Sequence, residues 1–209
     1  MLAELLATLC RRDFKFRVVL EETHGLKGLA KIRVLKPDMV LLDLSLPDAD
    51  GLDIAAVILQ ELPDTKVLAI SSLRDRFTLK RVRDLGIHGF MDKREQNVKL
   101  LREAIHLVSR GHGYFSPVML AVTGEMGRDK KAFHRVLSPH DQRVLGLIGH
   151  SLSDEELAAK LSITKATAQS RRRDIMAKLG IHTTPKLIRY AIDQGLTRPE
   201  YSPPPPSSI

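Results

Sequence analysis

Short apolar runs recur along the first half of the chain at Met39–Asp43, Lys66–Ser71 and residues 87–91, each followed by a segment with apolar residues at helical spacing. Runs of four to six such residues, bounded by turn formers, suit strands buried on both faces. The helical segments are 26–35, halted before Pro37, 51–62, stopped by Pro63, 77–85, closed by Gly86, and Val98–Ser109, closed by Gly111 and Gly113. Residues 1–9 are also helical by pattern, and 14–20 read as one more strand. Strands alternating with helices of this length dictate a parallel sheet with helices on both faces, here with 87–91 as last strand and Val98–Ser109 as last helix. Right-handed crossovers then put any ligand chemistry at the carboxyl ends of the strands.

Those ends carry Asp43, Ser71 and, just past the third run, Lys93. A carboxylate can attack phosphorus, a hydroxyl can hydrogen-bond a phosphoryl oxygen, and an ammonium can neutralise its charge. Taken singly these residues are ordinary loop side chains; as an ordered set on adjacent strand ends they form a phosphoryl-transfer constellation.

Charge separates this half from the rest. The chain carries a formal +8, and residues 130–199 alone hold 13 Lys and Arg against 6 Asp and Glu, the surplus expected opposite a polyanion. The single cysteine, Cys10, excludes an internal disulfide and falls on the apolar side of a helix, as packing in a reducing cytoplasm would place it. No apolar run approaches the roughly 18 residues that span a bilayer. The first ten residues include Glu4 and follow no basic segment, unlike a secretory signal. A cytoplasmic location is expected.

Residues 118–134 read as a linker between the α/β domain, 1–117, and a basic helical domain, 135–198. The proline-rich tail, 199–209, is expected to be extended or disordered. Four short helices are readable from their caps. Ser138 with Asp141, and Pro139 at the first position, starts one; Ser153 with Glu156 starts the next. Thr164 caps a third that ends at Gly180, and Thr184-Pro185 opens a fourth closed by Gly195. Val144, Leu145, Ile148, Leu157, Leu161, Ile163, Ile175, Leu179 and Ile188 supply a small core. The second and third helices, joined by Leu161-Ser162-Ile163-Thr164, form a helix-turn-helix with the third as reader. Lys165, Gln169, Arg171, Arg172, Arg173 and Lys178 project from that helix, whose amino-terminal half suits the major groove, where Arg and Gln make bidentate base contacts.

The motifs P-D-M-V-L-L-D-L-S-L-P-D-A-D-G-L, V-L-A-I-S-S and G-I-H-G-F-M-D-K resemble the receiver domain of two-component response regulators. The resemblance implies a flavodoxin-like α/β fold with Asp43 as phosphoacceptor, Pro47 and Gly51 shaping the following loop, Ser71 and Phe90 as switch residues, and Lys93 as phosphate contact. It also implies Mg²⁺ held by Asp43 and the backbone carbonyl of Ser45. L-S-P-H-D-Q-R-V-L, S-D-E-E-L-A-A-K-L-S-I-T-K-A-T-A-Q-S-R-R-R-D-I-M-A-K-L-G-I and L-I-R-Y-A-I-D-Q-G-L resemble the LuxR-type domain of the NarL/FixJ regulators. Carried over residue by residue, Gln169, Ser170 and Arg173 face base edges. Lys165, Thr167, Arg171, Arg172 and Lys178 are the phosphate candidates, and helix 185–194 is similar to the family's dimerisation helix. Together these imply a dimeric transcription regulator that binds double-stranded DNA and answers to a sensor histidine kinase.

The sequence departs from these patterns in places. Arg94 stands where a proline is usual, and Ala168 and Arg171 replace the commoner valine and histidine. Receivers begin with a central strand ending in an acidic, metal-binding pair, whereas helix 1–9 already matches the helix after it. Two readings remain: the native start lies about 10–15 residues upstream, or this is a pseudo-receiver with a rebuilt sheet that serves dimerisation or protein–protein regulation. An enzyme reading, a phosphohydrolase with Asp43 as nucleophile, lacks the second carboxylate such enzymes place two residues on, where Ser45 stands.

Overall fold

The computed structural model describes residues 2–17, 20–95, 97–129 and 132–197. The chain divides into two compact units, residues 1–74 with 78–122, and residues 75–77 with 123–209. The proline-rich tail expected at 199–209 lies outside the described residues.

The first unit is built on a four-stranded parallel sheet in the order β1 (Met39–Asp43), β2 (Lys66–Ser71), β3 (Gly89–Asp92), β4 (Tyr114–Phe115). Its helices are α1 (Leu2–Arg12), α2 (Gly25–Leu35), α3 (Gly51–Glu61), α4 (Arg76–Asp84) and α5 (Val98–Ser109). The pleat sends alternate side chains to opposite faces. Val67, Ala69 and Phe90 join Leu29 and Ile32 of α2, Ile54 and Ile58 of α3, and Leu79 and Val82 of α4 in one core. Leu68, Ile70 and Met91 join Leu9 and Cys10 of α1 and Leu101, Ile105 and Val108 of α5 in the other. The sheet is therefore covered on both faces, as continuous apolar runs require. Cys10 is buried, and burial pushes its thiol pKa up.

Three expectations are corrected here. Residues 15–17 and 20 are not strand, since Lys15 adopts φ 56°, a left-handed conformation that interrupts extended backbone; Val18 and Val19 lie outside the described residues. Nor are 87–91 the last strand: β4 adds to β3 with Gly89 opposite Tyr114 and Phe90 opposite Phe115. The segment read as a linker is mostly helical, with α6 (Pro117–Arg128) and α7 (Phe133–Val136). Met119 and Met126, seven residues apart, are both buried on α6, although Gly124 and Gly127 weaken its pattern.

The second unit holds α8 (Pro139–Gly149), α9 (Asp154–Leu161), α10 (Lys165–Leu179) and α11 (Thr184–Asp193). Both expected capping boxes form, Ser138 with Asp141 and Ser153 with Glu156. The Thr164 hydroxyl accepts from the Thr167 amide at 3.2 Å to cap α10, and Gly180 closes it at φ 67°. Val144, Leu145, Ile148, Leu157 and Ile175 are buried as expected; Leu187 and Ala191 of α11 complete the core, while Leu161, Ile163, Leu179 and Ile188 are half-buried.

Candidate phosphoacceptor site and nucleic-acid interface

In the first unit, the expected trio does converge. Asp43 ends β1, Ser71 ends β2 and Lys93 follows β3, so parallel strands in register bring them to one rim. The Lys93 ammonium pairs with Oδ2 of Asp43, while Oδ1 accepts the Ser45 amide at 2.9 Å. Asp43 keeps 36% of its side-chain surface exposed. Ser71 is fully buried, its hydroxyl accepting the Leu73 amide at 3.1 Å. Phe90 is fully buried in the core beneath. Gly51 lets α3 start against the loop after β1, where a Cβ would stand 2.5 Å from Leu44 Cα and 2.6 Å from the Asp43 carbonyl oxygen.

Sequence reasoning missed an adjoining cluster. Asp92, fully buried, pairs with Nε of Arg74 from the loop after Ser71 and accepts the Arg94 amide at 2.8 Å. Burial, with the Asp92 charge added, raises the Glu95 pKa, and its Oε2 is buried without a partner among the described residues. These contacts tie the loop after β2 to the loop after β3. Asp92 and Arg74 stand 18 positions apart in no repeating pattern, so nothing local announces them.

Receivers generally hold Mg²⁺ at an acidic site. Here no group of three or more His, Cys, Asp or Glu among the described residues is arranged to hold a metal, and both Asp43 oxygens are engaged. Asp13 is turned to Arg102, at 2.6 Å. Of the expected ligands, Asp43 ends β1 and Ser45 follows it in the next loop.

In the second unit, α10 has two dissimilar sides. Ala168, Arg172 and Ile175 are buried at positions i, i+4 and i+7, whereas Ala166, Ser170, Arg173 and Ala177 form an exposed stripe opposite. Thr167, Gln169 and Arg171 are half-buried at its borders, and the Nε of Arg171 is buried without a partner among the described residues. Arg172, expected to contact phosphate, is instead turned into the domain. It is 8% exposed, donates from Nε to Asp154 at 2.8 Å and from Nη2 to the Leu152 carbonyl at 2.9 Å, and so braces α9 against α10. Lys178 donates to Asp141 of α8 at 2.7 Å. Burial works to raise the Asp141 pKa, but the bonds from Lys178 and Ser138 outweigh it and hold the carboxyl below its usual range. Lys165 pairs with Glu155 of α9, and this bond raises the lysine pKa and lowers that of the glutamate.

A sheet whose strand ends gather carboxylate, hydroxyl and ammonium, followed by a capped helix-turn-helix, defines a class: a signal-receiving module coupled to a DNA-binding module, a regulator and not an enzyme. Comparison with known proteins narrows this. Residues 1–106 match the response regulator receiver domain and residues 135–191 match the bacterial regulatory proteins of the luxR family. The chain is 35% identical over 184 residues to the transcriptional regulatory protein MctR of Rhizobium johnstonii, covering 84% of this chain and 83% of that one. It is 28% identical over 179 residues to the response regulator protein VraR of Staphylococcus aureus, covering 86% and 85%. In fold it is similar to RcsB from Salmonella enterica serovar Typhimurium bound to promoter rprA with phosphomimetic BeF3⁻, at TM-score 0.60, 22% identity and 90% of each chain. The chain belongs to the response regulators that join a receiver to a luxR-type DNA-binding domain, and it regulates transcription. Among the described residues no helix is long and apolar enough to cross a membrane.

Proposed function

We propose that the exposed stripe of α10 reads duplex DNA, with Ser170 and Arg173 at base edges and Gln169 at their border. The observation that carries this is the placement of adjacent arginines: Arg172 is used inside the domain, while Arg173 is exposed and, among the described residues, unpaired. Lys165, Thr167, Arg171 and Lys178 flank the stripe as phosphate contacts. Arg173→Ala is expected to cost about 1–3 kcal/mol on a duplex selected from a random pool and far less on mixed-sequence duplex, measured by fluorescence anisotropy. Equal losses on both would exclude base reading by this residue. RcsB has been solved as two dimers bound to two parallel DNAs, and a homodimer acting from the cytoplasm through α11 fits a two-part DNA site here too.

In the first unit we propose Asp43 as phosphoacceptor for a sensor histidine kinase. Lys93 would exchange its carboxylate partner for a phosphoryl oxygen, and Ser71 and Phe90 would carry the change into the fold. A second reading is favoured by the occupied oxygens of Asp43: phosphorylation-independent regulation through protein contacts. Incubation with acetyl phosphate, with and without Mg²⁺, followed by intact mass, separates them. One added phosphoryl group, lost in Asp43→Asn, supports the first; an unmodified mass supports the second.

A further inference from the structure

Both lysines at the ends of α10 are already neutralised by carboxylates of the preceding helices, Lys165 by Glu155 of α9 and Lys178 by Asp141 of α8. Asp141 has a second duty in the capping box of α8. Glu155 has none of that kind: the first turn of α9 is capped by Ser153 with Glu156, and Asp154 is held by Arg172. Glu155 is 61% exposed and Lys165 55%, so the pair stands in solvent at the start of the reading helix. In a helix-turn-helix the first helix crosses the DNA backbone, and helix amino termini attract phosphate. Here that terminus carries Asp154, Glu155 and Glu156; Glu155 pairs with Lys165 directly, while the Asp154 charge acts on the same ammonium without bonding it.

We propose that Glu155 is an intramolecular competitor of backbone phosphate for the Lys165 ammonium, setting how tightly the domain holds duplex of any sequence. The proposal rests on the reading of α10 as the DNA-contacting helix. Lys165 can meet a phosphate only by leaving Glu155, and the released carboxylate then stands near the polyanion and takes up a cation. Both effects lower affinity and flatten its salt dependence. Because phosphates carry no base identity, the competitor shifts affinity for selected and random duplex together.

The test uses the full chain and fluorescence anisotropy on a mixed-sequence duplex and on one selected from a random pool, across a salt series. Glu155→Gln should tighten both by about two- to fivefold, the range of an exposed ion pair, and leave their ratio unchanged. The slope of log K against log salt should steepen by up to about 0.9, one further phosphate neutralised. In a Lys165→Met background the same substitution should have little effect. Unchanged binding by Glu155→Gln, with a wild-type melting curve, would overturn the proposal. A full gain in the Lys165→Met background would overturn it too, by showing bulk charge rather than competition. If neither wild type nor variant bound any duplex, the underlying DNA-contacting reading would fall, a result distinct from both.

Discussion

The two units assemble their working residues in opposite ways. In the first, Asp43, Ser71 and Lys93 come from three strand ends and meet only because the sheet is in register. In the second, the exposed stripe lies on one helix whose start and stop are set by its own neighbours, Thr164 and Gly180. A site made by tertiary convergence depends on packing at a distance, whereas one made on a capped helix depends on local braces. Substitutions outside the contacting residues should therefore act through different mechanisms in the two units.

The largest effect is expected at Arg172, the strongest brace of the second unit. Arg172→Ala leaves Asp154 and the Leu152 carbonyl without their donor and should lower stability by about 2–4 kcal/mol, read from the thermal melt of the full chain. Arg173→Ala should melt like wild type. If the two variants melted alike, the contrast between the bracing and the exposed arginine would be broken.

Next comes Gly51→Ala in the first unit. The added methyl meets backbone at Leu44 and Asp43, which cannot swing aside as a side chain can, so a loss of about 1–3 kcal/mol is expected in denaturant unfolding. The same displacement should slow or abolish any acetyl phosphate modification at Asp43. Wild-type stability would show that the strand ends tolerate movement and that convergence is less demanding than the geometry implies.

The smallest effect sharpens the comparison through pH. Nδ1 of His88 accepts the Val67 amide at 3.2 Å, and burial, reinforced by the Lys66 charge, lowers the pKa of this imidazole. A histidine with a lowered folded pKa contributes stability above its unfolded value, near 6.5, and loses it as pH falls toward the folded value. Acidification below about pH 6.5 should destabilise the first unit slightly through this residue, and His88→Ala should remove that component. An identical pH profile in the variant would exclude it.

What could be read from the residues beforehand follows the same division. The caps of α8, α9 and α10 were legible because Ser138, Ser153 and Thr164 act within three residues of themselves. Asp43, Ser71 and Lys93 were legible as strand ends because buried parallel strands are short apolar runs. Of the strand expected at 14–20, the described residues 14–17 and 20 are not extended into a ladder, and the backbone torsion at Lys15 that interrupts them is one no side-chain pattern encodes. Strand β4 is two residues long, below the length at which alternation can be seen, and α6 was obscured by its glycines. Arg172 was misread because it stands between two other arginines, and only the position of Asp154, on another helix, separates a brace from a contact. Arg74 and Asp92 were invisible for the same reason.

The bracing of α9 against α10 has a bearing on how a duplex is met. With the guanidinium of Arg172 joining the two helices internally, the orientational freedom of α10, the helix proposed to read the duplex, is surrendered during folding and not at the moment of encounter. Docking then resembles the fitting of a finished part, so its heat-capacity change should match the contact area alone, with no added signature of ordering.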